Sequence, residues 1–139
     1  MTAPASADPP EGFAPHFRKS PVTEPWEPLF SRRVEGAVQI GFTLRNAHCN
    51  SRGFLHGGVI AALADNAMGL SCGSGLHSMQ GLVTVSLGVD YVGAAKIGQW
   101  LQIEPRVLRT GKSMAFADAL VRADGDVIAR ASATFRVLA

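Results

Sequence analysis

Apolar and polar residues alternate along two stretches of the chain, and this alternation predicts strands. From Val34 to Leu44 most even-numbered positions are apolar and polar residues stand between them, as in a half-buried strand. The alternation returns from Val83 to Tyr91, where the odd-numbered positions are apolar and Thr84 belongs to the opposite face. Each stretch predicts one strand with one face on a core.

Three further strands are predicted in the C-terminal third of the chain. Apolar residues at positions 101, 103 and 107 mark the first of them, and Pro105 within it favours an edge position or a bulge. The other two run over Ser113–Arg122 and Val127–Leu138. They are joined by Asp124-Gly125, a strong hairpin signal. We expect these three strands to continue a meander from the strand that ends at Tyr91.

A single helix is predicted between the first two strands. The segment from about Gly57 to Cys72 is rich in Ala, Leu and Met, contains no proline, and is followed by Gly73 and Gly75. Because it is nearly apolar all round, it needs cover on most sides. The element order therefore predicts an α+β fold in which an antiparallel β-sheet wraps around one long central helix.

Prolines divide the chain into two regions. Seven of the eight lie in the first 28 residues, where apolar periodicity is absent. We therefore expect residues 1–28 to form a Pro-rich N-terminal tail or arm and residues 29–139 to form one folded domain. The aromatic residues Phe13, Phe17 and Trp26 indicate that part of this N-terminal arm lies on the folded body.

Composition and charge narrow the possible partners. Charged residues are only 17% of the chain and hydrophobic residues 47%, against roughly 25% charged in ordinary domains, so we expect a homo-oligomer. The net charge of +2, with no run of more than two basic residues, argues against nucleic acid. The apolar stretch from Phe54 to Ala64 is too short for a membrane span, and no signal-peptide pattern is present. These features favour a cytoplasmic protein whose two cysteines, Cys49 and Cys72, are free thiols.

Asp65 is the first candidate for chemistry. It stands in the middle of the predicted helix among Ala, Leu, Met and Gly, and between Arg52 and Lys96 the only other charged residue is Asp90. Helix propensity and burial both disfavour an aspartate there. Apolar surroundings make a carboxylate a better base or nucleophile, so we interpret Asp65 as functional rather than as a solvent-facing residue.

The sequence His56-Gly57-Gly58 stands where the helix begins. The first N–H groups of a helix have no intrahelical partner, so they form a natural oxyanion or anion site; the alternative is that the glycines only ease a sharp turn. Gly57 and Asp65 are eight residues apart, which separates them by ~12 Å along a helix. One carbonyl cannot touch both groups of one chain, so we expect a site shared between two subunits whose helices run antiparallel.

Two segments resemble a known family. Residues 50–58, Asn-Ser-Arg-Gly-Phe-Leu-His-Gly-Gly, and the following Ala64-Asp65-Asn66 are similar to the signature of hotdog-fold acyl-CoA thioesterases of the PaaI-like and thioesterase superfamily member 2 type. The similarity continues through residues 83–85, 91–96 and 108–112 and covers roughly residues 34–138.

The resemblance implies a role for each matching residue. Asp65 would be the general base that activates water, or a nucleophile that forms a mixed anhydride. The Gly57 N–H would hold the thioester oxygen, and His56 would support the glycine turn. Asn50 would orient the thioester or the water, and Thr84 would position the water.

A second implied site takes coenzyme A. The turn containing Arg109, Lys112 and Ser113 would meet the phosphates or the pantetheine arm of an acyl-CoA substrate; the alternative is an ordinary polar hairpin. The segments outside the arm carry eleven bases against seven acids, a balance suited to an anionic ligand. The family implies hydrolysis without metal or cofactor in a dimer or a dimer of dimers, and the sequence does not specify the acyl group.

Three other interpretations are weaker. A hotdog hydratase or dehydratase would use a histidine and an acid where the helix begins, whereas Asp65 lies two turns inside. A non-catalytic acyl-CoA-binding protein would carry a DNA-binding segment, and the arm has only Arg18 and Lys19. A thiol nucleophile at Cys49 lacks a suitable sequence context. Of the remaining histidines, we expect His16 and His77 to be exposed.

Overall fold

One antiparallel sheet of seven strands wraps around a single long helix in the computed structural model, which describes residues 9–76 and 80–138. The helix α1 spans Gly57–Ser74. The strands, in chain order from β1 to β7, span Ala14–Pro15, Phe30–Val34, Ala37–Thr43, Gly81–Tyr91, Trp100–Thr110, Met114–Ala123 and Asp126–Leu138. Two 3-10 turns lie at Glu24–Trp26 and Asn46–His48. The expected architecture of one sheet around one helix is confirmed.

The strand order corrects the expected meander. The sheet runs β1-β2-β3-β5-β6-β7-β4, so β5, β6 and β7 form the meander while β4 pairs with β7 and not with β5. The cause is the helix, because its 18 residues span about 27 Å at 1.5 Å per residue. It carries the chain across the sheet from β3 to the far edge, and the chain then returns to place β5 beside β3.

The first predicted strand contains a hairpin. Val34 ends β2, and β3 begins only at Ala37. Gly36, at a φ of +74°, makes the turn between them, a backbone conformation that glycine adopts without strain. The prediction of one strand from Val34 is wrong at its start because turn residues 35 and 36 fall within the alternation.

Pro105 occupies a position that tolerates its missing N–H. It lies in β5, an inner strand, but just past the residues that pair with β3, whose register ends at Ile103. A bulge follows between Val107 and Arg109. The proline therefore stands on a locally unpaired side of β5 and interrupts few ladder bonds.

The core lies between one face of α1 and the sheet. Leu63, Ala64, Ala67 and Met68 are fully buried, at the spacing of a single helix face. The strands opposite present small residues: Ala115, Ala117, Ala119, Ala129, Ala131 and Ala133. These alanines let the helix approach the sheet closely. The other helix face, which includes Asp65, Asn66, Gly69 and Leu70, is only half-buried.

The described part of the N-terminal arm packs on the sheet. Phe13 is buried and meets the Trp100 ring edge-on at 5.2 Å. Strand β1 pairs with β2, and Trp26 packs on the core. Within the ranges that the structure describes, no helix is long and apolar enough to cross a bilayer.

Candidate active site

The carboxylate of Asp65 is held by a residue from the sheet. Thr84 in β4 donates its hydroxyl hydrogen to Asp65 Oδ1 at 2.8 Å. Asp65 is half-buried, on a helix face that its own sheet covers only in part. Because Oδ2 has no hydrogen-bond partner among the residues described, one oxygen is positioned and the other is available for chemistry.

A β-bulge turns Thr84 toward the helix. Thr84 stands opposite Phe135, but Ser86 stands opposite Thr134, so one residue of β4 is extra. Phe135 is buried against the helix, and directly opposed residues share a face of a sheet. The regular alternation, which assigned Thr84 to the face away from the core, is therefore wrong at this point.

Asp65 and Thr84 open into a cleft of about 490 Å³, a volume within the range of small-molecule sites. We call it the Asp65 cleft. Residues 65–74 of the helix form its floor, and the start of β4 forms one wall. The opposite wall comes from the N-terminal arm and the end of β2, through Phe17, Arg18 and Arg33.

The His56-Gly57-Gly58 sequence forms the cap of the helix. His56 is the N-cap residue, and its Nδ1 accepts a hydrogen bond from the Gly58 N–H at 2.8 Å. A Cβ on Gly58 would lie 2.9 Å from the His56 ring, and one on Gly57 would lie 3.1 Å from the Tyr91 ring. The Tyr91 hydroxyl donates to the Gly57 carbonyl. A side chain at either glycine would therefore crowd a neighbouring ring.

The N–H of Gly57 points out of the capped turn. In the described part of the chain it has no hydrogen-bond acceptor, as expected for the first residue of a helix. The helix continues unbroken to Asp65, so the ~12 Å separation between the two residues holds within one chain. The structure does not bring the N–H and the carboxylate together in a single subunit.

Asn50 lies in the loop that precedes the helix. Its Oδ1 accepts hydrogen bonds from the N–H groups of Arg52 at 2.9 Å and Phe54 at 3.2 Å. Its side-chain carbonyl thus shapes the loop, and the residue as a whole is exposed. A role for Asn50 toward substrate stays a prediction.

Arg109, Lys112 and Ser113 lie in and beside the hairpin turn between β5 and β6, and all three are exposed. Arg109 pairs with Phe116, a residue that alternates with the buried alanines of β6. Arg109 therefore belongs to the sheet face opposite the helix, away from Asp65 of the same chain. A role in binding coenzyme A stays a prediction.

His16 is a residue whose placement the sequence did not reveal. We expected His16 to be exposed, but it is buried. Its ring Nε2 lies 3.0 Å from Oδ1 of Asn66, the neighbour of Asp65. Burial lowers the pKa of His16 below the usual value, so Nε2–H of a neutral ring donates this bond. The two residues are 50 positions apart, and no local pattern could have joined them. His77 lies outside the described residues.

The second buried histidine, His48, is structural. Its Nδ1 accepts from the Arg45 N–H at 3.0 Å and its Nε2–H donates to the Trp26 carbonyl at 2.9 Å. Burial lowers the pKa of His48 as well. Cys49 and Cys72 are both free thiols, as expected. Within residues 9–76 and 80–138, no three His, Cys, Asp or Glu side chains cluster as metal ligands would.

Comparison with known proteins identifies relatives over most of the chain. Residues 52–129 match the family model described as the thioesterase superfamily. The protein named Putative esterase PA0474, of Pseudomonas aeruginosa, is 36% identical over 129 residues, which are 92% of this chain and 96% of that protein. Acyl-coenzyme A thioesterase 13 of Homo sapiens is 35% identical over 99 residues, which cover 68% of this chain and 69% of its own length.

A solved structure agrees with the sequence comparisons. The BH2602 protein of Bacillus halodurans, crystallised with CoA, superposes with a TM-score of 0.71 at 28% identity, over 78% of this chain and 73% of that one. The resemblance thus extends from the sequence around the helix to the strand arrangement as a whole.

Proposed function

This chain belongs to the thioesterase superfamily and has its hotdog fold, and from that premise we propose that it hydrolyses acyl-CoA thioesters at the Asp65 cleft. The products are the free acid and coenzyme A. The observation that carries the proposal is the Thr84–Asp65 hydrogen bond, because it orients a carboxylate in a cleft of substrate size. The similarity to an acyl-CoA thioesterase supports the choice of substrate class.

The proposed chemistry begins with polarisation of the thioester carbonyl. The free N–H of Gly57, at the positive end of the helix dipole, donates to the carbonyl oxygen and stabilises the negative charge that develops there. The cap made by His56 keeps this N–H directed outward, since it uses the neighbouring N–H of Gly58.

Asp65 acts on the same carbonyl carbon. As a general base, its Oδ2 takes a proton from water while the water oxygen bonds to the carbon; the C–S bond then breaks and the proton passes to the thiolate of coenzyme A. As a nucleophile, Oδ2 bonds to the carbon directly, the thiolate leaves, and water hydrolyses the resulting anhydride. Thr84 holds Oδ1 in both routes.

The site requires a second subunit. Gly57 and Asp65 of one chain are ~12 Å apart, so the oxyanion donor comes from a partner whose helix runs antiparallel. Two features support such a dimer. Strand β4 pairs only with β7 among the described strands and exposes Val83, Val85, Leu87 and Tyr91, and the Asp65 face of α1 is only half-covered. An unpaired apolar edge of this kind is suited to association.

Coenzyme A recognition involves the turn at Arg109, Lys112 and Ser113. Two cations and a hydroxyl on an exposed hairpin suit phosphate groups. In one chain Arg109 belongs to the sheet face opposite Asp65, so it reaches the reacting thioester only within an oligomer, as a dimer or a dimer of dimers would allow.

A direct assay tests the proposal. The purified protein is incubated with a panel of acyl-CoA thioesters of increasing chain length, including aromatic acyl groups, and the released thiol of coenzyme A is measured with a thiol-reactive dye. Turnover with at least one acyl-CoA is expected. Failure to release thiol from every member of the panel, with the fold intact by circular dichroism, would contradict the proposed activity.

A further inference from the structure

Two arginines in the wall of the Asp65 cleft have no carboxylate partner. Arg18 and Arg33 line the cleft, and neither belongs to an ion pair within the part of the chain that the structure describes. Among the described residues that line the cleft, Asp65 is the only other charged one. The cleft therefore carries a net charge of +1 with both cations on one wall, which favours an anionic group on the ligand.

The backbone of Arg33 lies toward the end of the cleft away from the reacting carboxylate. It pairs in the β2–β3 hairpin with Val38, and the Val38 N–H donates to Ser71 Oγ of the helix at 2.9 Å. Ser71 is six residues beyond Asp65, which corresponds to ~9 Å along the helix axis. A ligand that extends from Asp65 to the level of Ser71 would lie along the helix.

The N-terminal arm holds this wall in place. Phe17 lies beneath the Arg33 guanidinium, 4.5 Å from ring centroid to Cζ, a favourable cation–π distance. Next to it, His16 bonds to Asn66 on the helix at 3.0 Å. The Phe17 ring thus supports the Arg33 guanidinium, and the His16–Asn66 bond ties the neighbouring arm to the helix, which reduces the ordering required when an anion binds.

We propose that Arg18 and Arg33 form an anion subsite for a carboxylate at the far end of the acyl group, so that the preferred substrates are half-thioesters of dicarboxylic acids. This rests on the proposed acyl-CoA hydrolysis. An extended chain advances ~1.2 Å per bond. A six-carbon diacid therefore spans about 6 Å between its two carboxyl carbons, and a further ~3 Å separates Asp65 from the thioester carbon.

The phosphates of coenzyme A are also anions that arginine could bind, but their distance from the thioester fits the cleft less well. About 13 bonds separate the thioester sulfur from the first phosphorus, which is ~15 Å when extended. That length exceeds the ~9 Å along the helix between Asp65 and Ser71, the level at which the Arg33 backbone lies. The carboxylate of a short acyl chain is therefore the better occupant.

Binding to an inactive variant tests the subsite separately from turnover. In the Asp65→Asn background, isothermal titration calorimetry compares adipyl-CoA with hexanoyl-CoA, which have six carbons each and differ by the terminal carboxylate. We expect adipyl-CoA to bind at least about tenfold more tightly, as charge-assisted bonds to arginine allow. Adding Arg18→Gln and Arg33→Gln should abolish that preference, whereas Arg33→Lys should retain part of it.

A matched control and a third ligand separate the outcomes. Arg136→Gln removes an exposed arginine that does not line the cleft, and it should leave the preference unchanged. Equal affinity for the two thioesters, or a preference that survives the double substitution, would overturn the proposal. If the double substitution weakens the binding of hexanoyl-CoA but not that of hexanoyl-pantetheine, the two arginines bind a phosphate of coenzyme A. The carboxylate assignment is then wrong. Absence of turnover in the unmodified enzyme would contradict the proposed hydrolysis alone.

Discussion

The Thr84 hydroxyl lies 2.8 Å from Asp65 Oδ1 because strand β4 carries one extra residue between Thr84 and Ser86. Without that bulge, Thr84 would face away from the helix. The bulge therefore converts an ordinary edge strand into part of the proposed catalytic machinery, a position where bulges are common. It also leaves Asp65 with one restrained oxygen and one available oxygen.

Replacing the carboxylate tests its proposed role. Asp65→Asn should retain the fold and reduce kcat for acyl-CoA hydrolysis at least ~100-fold, because the amide has nearly the same size but can neither accept the proton nor attack the carbonyl. Thiol release under saturating substrate measures the effect. Circular dichroism checks the fold, and near-normal turnover would remove Asp65 from the mechanism.

The hydroxyl of Thr84 can be tested with two matched substitutions. Thr84→Val keeps the branched shape but removes the hydrogen bond to Asp65, and kcat should fall about tenfold, since a hydrogen bond to a carboxylate contributes ~1.5 kcal/mol. Thr84→Ser keeps the hydroxyl and should recover most of the activity. If the valine and serine variants are equally active, the hydrogen bond does not contribute to catalysis.

The positive charges of Arg109 and Lys112, beside the β5–β6 turn, should contribute to acyl-CoA binding and not to the chemical step. Arg109→Ala and Lys112→Ala are each expected to raise KM for acyl-CoA with little change in kcat, because both charges would meet groups distant from the reacting carbon. The effect should diminish as salt is added, since exposed charges are screened. Initial rates at 20 and 200 mM salt measure this. An unchanged KM at low salt in both variants would locate phosphate recognition elsewhere.

The pattern of apolar residues predicted the helix and the strands β3 to β7, but it missed β1 and most of β2, the order of the sheet and its irregularities. A period of two cannot reveal one inserted residue, so the bulge that directs Thr84 went undetected. The pairing of β4 with β7 depends on how far the helix carries the chain across the sheet, a distance that local patterns do not encode. Likewise Gly36 turned the chain inside what looked like one strand.

The candidate site likewise contains residues that the sequence could predict and residues that it could not. Asp65 and the glycines at the helix start could be found from sequence because each breaks a local preference: an acid amid apolar residues, and glycines where a helix begins. His16 and Arg33 follow no such rule. Their importance comes from an N-terminal arm folded back onto the helix, and contacts between residues so far apart in sequence require the tertiary structure.

The two buried histidines predict a dependence of stability on pH. Burial lowers the pKa of both His16 and His48, so between the unfolded value of about 6.5 and the lower folded values the unfolded chain binds more protons. Stability should therefore be retained above about pH 6.5 and decline as the pH falls below it. Thermal unfolding at pH 7.5 and 5.5 measures the loss.

A substitution isolates the contribution of His16 to this dependence. His16→Gln does not titrate, yet its amide can still donate to Asn66 Oδ1. Its melting temperature should fall less between pH 7.5 and 5.5 than that of the unmodified protein. The same decline in both proteins would show that protonation of His16 is not involved.

Complementation between two inactive variants tests whether the site is shared. Asp65→Asn lacks the carboxylate, and Gly57→Pro lacks the oxyanion N–H. Proline suits the first helical position, and His56 before it already has a ψ of 130°, the extended conformation that a residue preceding proline adopts. The new Cβ would lie 3.1 Å from the Tyr91 ring. Gly57→Ala, with the same Cβ but an intact N–H, is therefore the control for crowding.

Each variant alone should be inactive as a homo-oligomer, while Gly57→Ala should keep more activity than Gly57→Pro. When the two inactive chains are refolded together, random pairing makes about half of the dimers mixed, and each mixed dimer has one intact site, with Gly57 from one chain and Asp65 from the other. Activity should therefore return to roughly a quarter of the unmodified level by this count of sites. If both groups of a site came from one chain, mixing could never restore it. Mixed oligomers that are present by native mass spectrometry but remain inactive would count against a site shared across subunits.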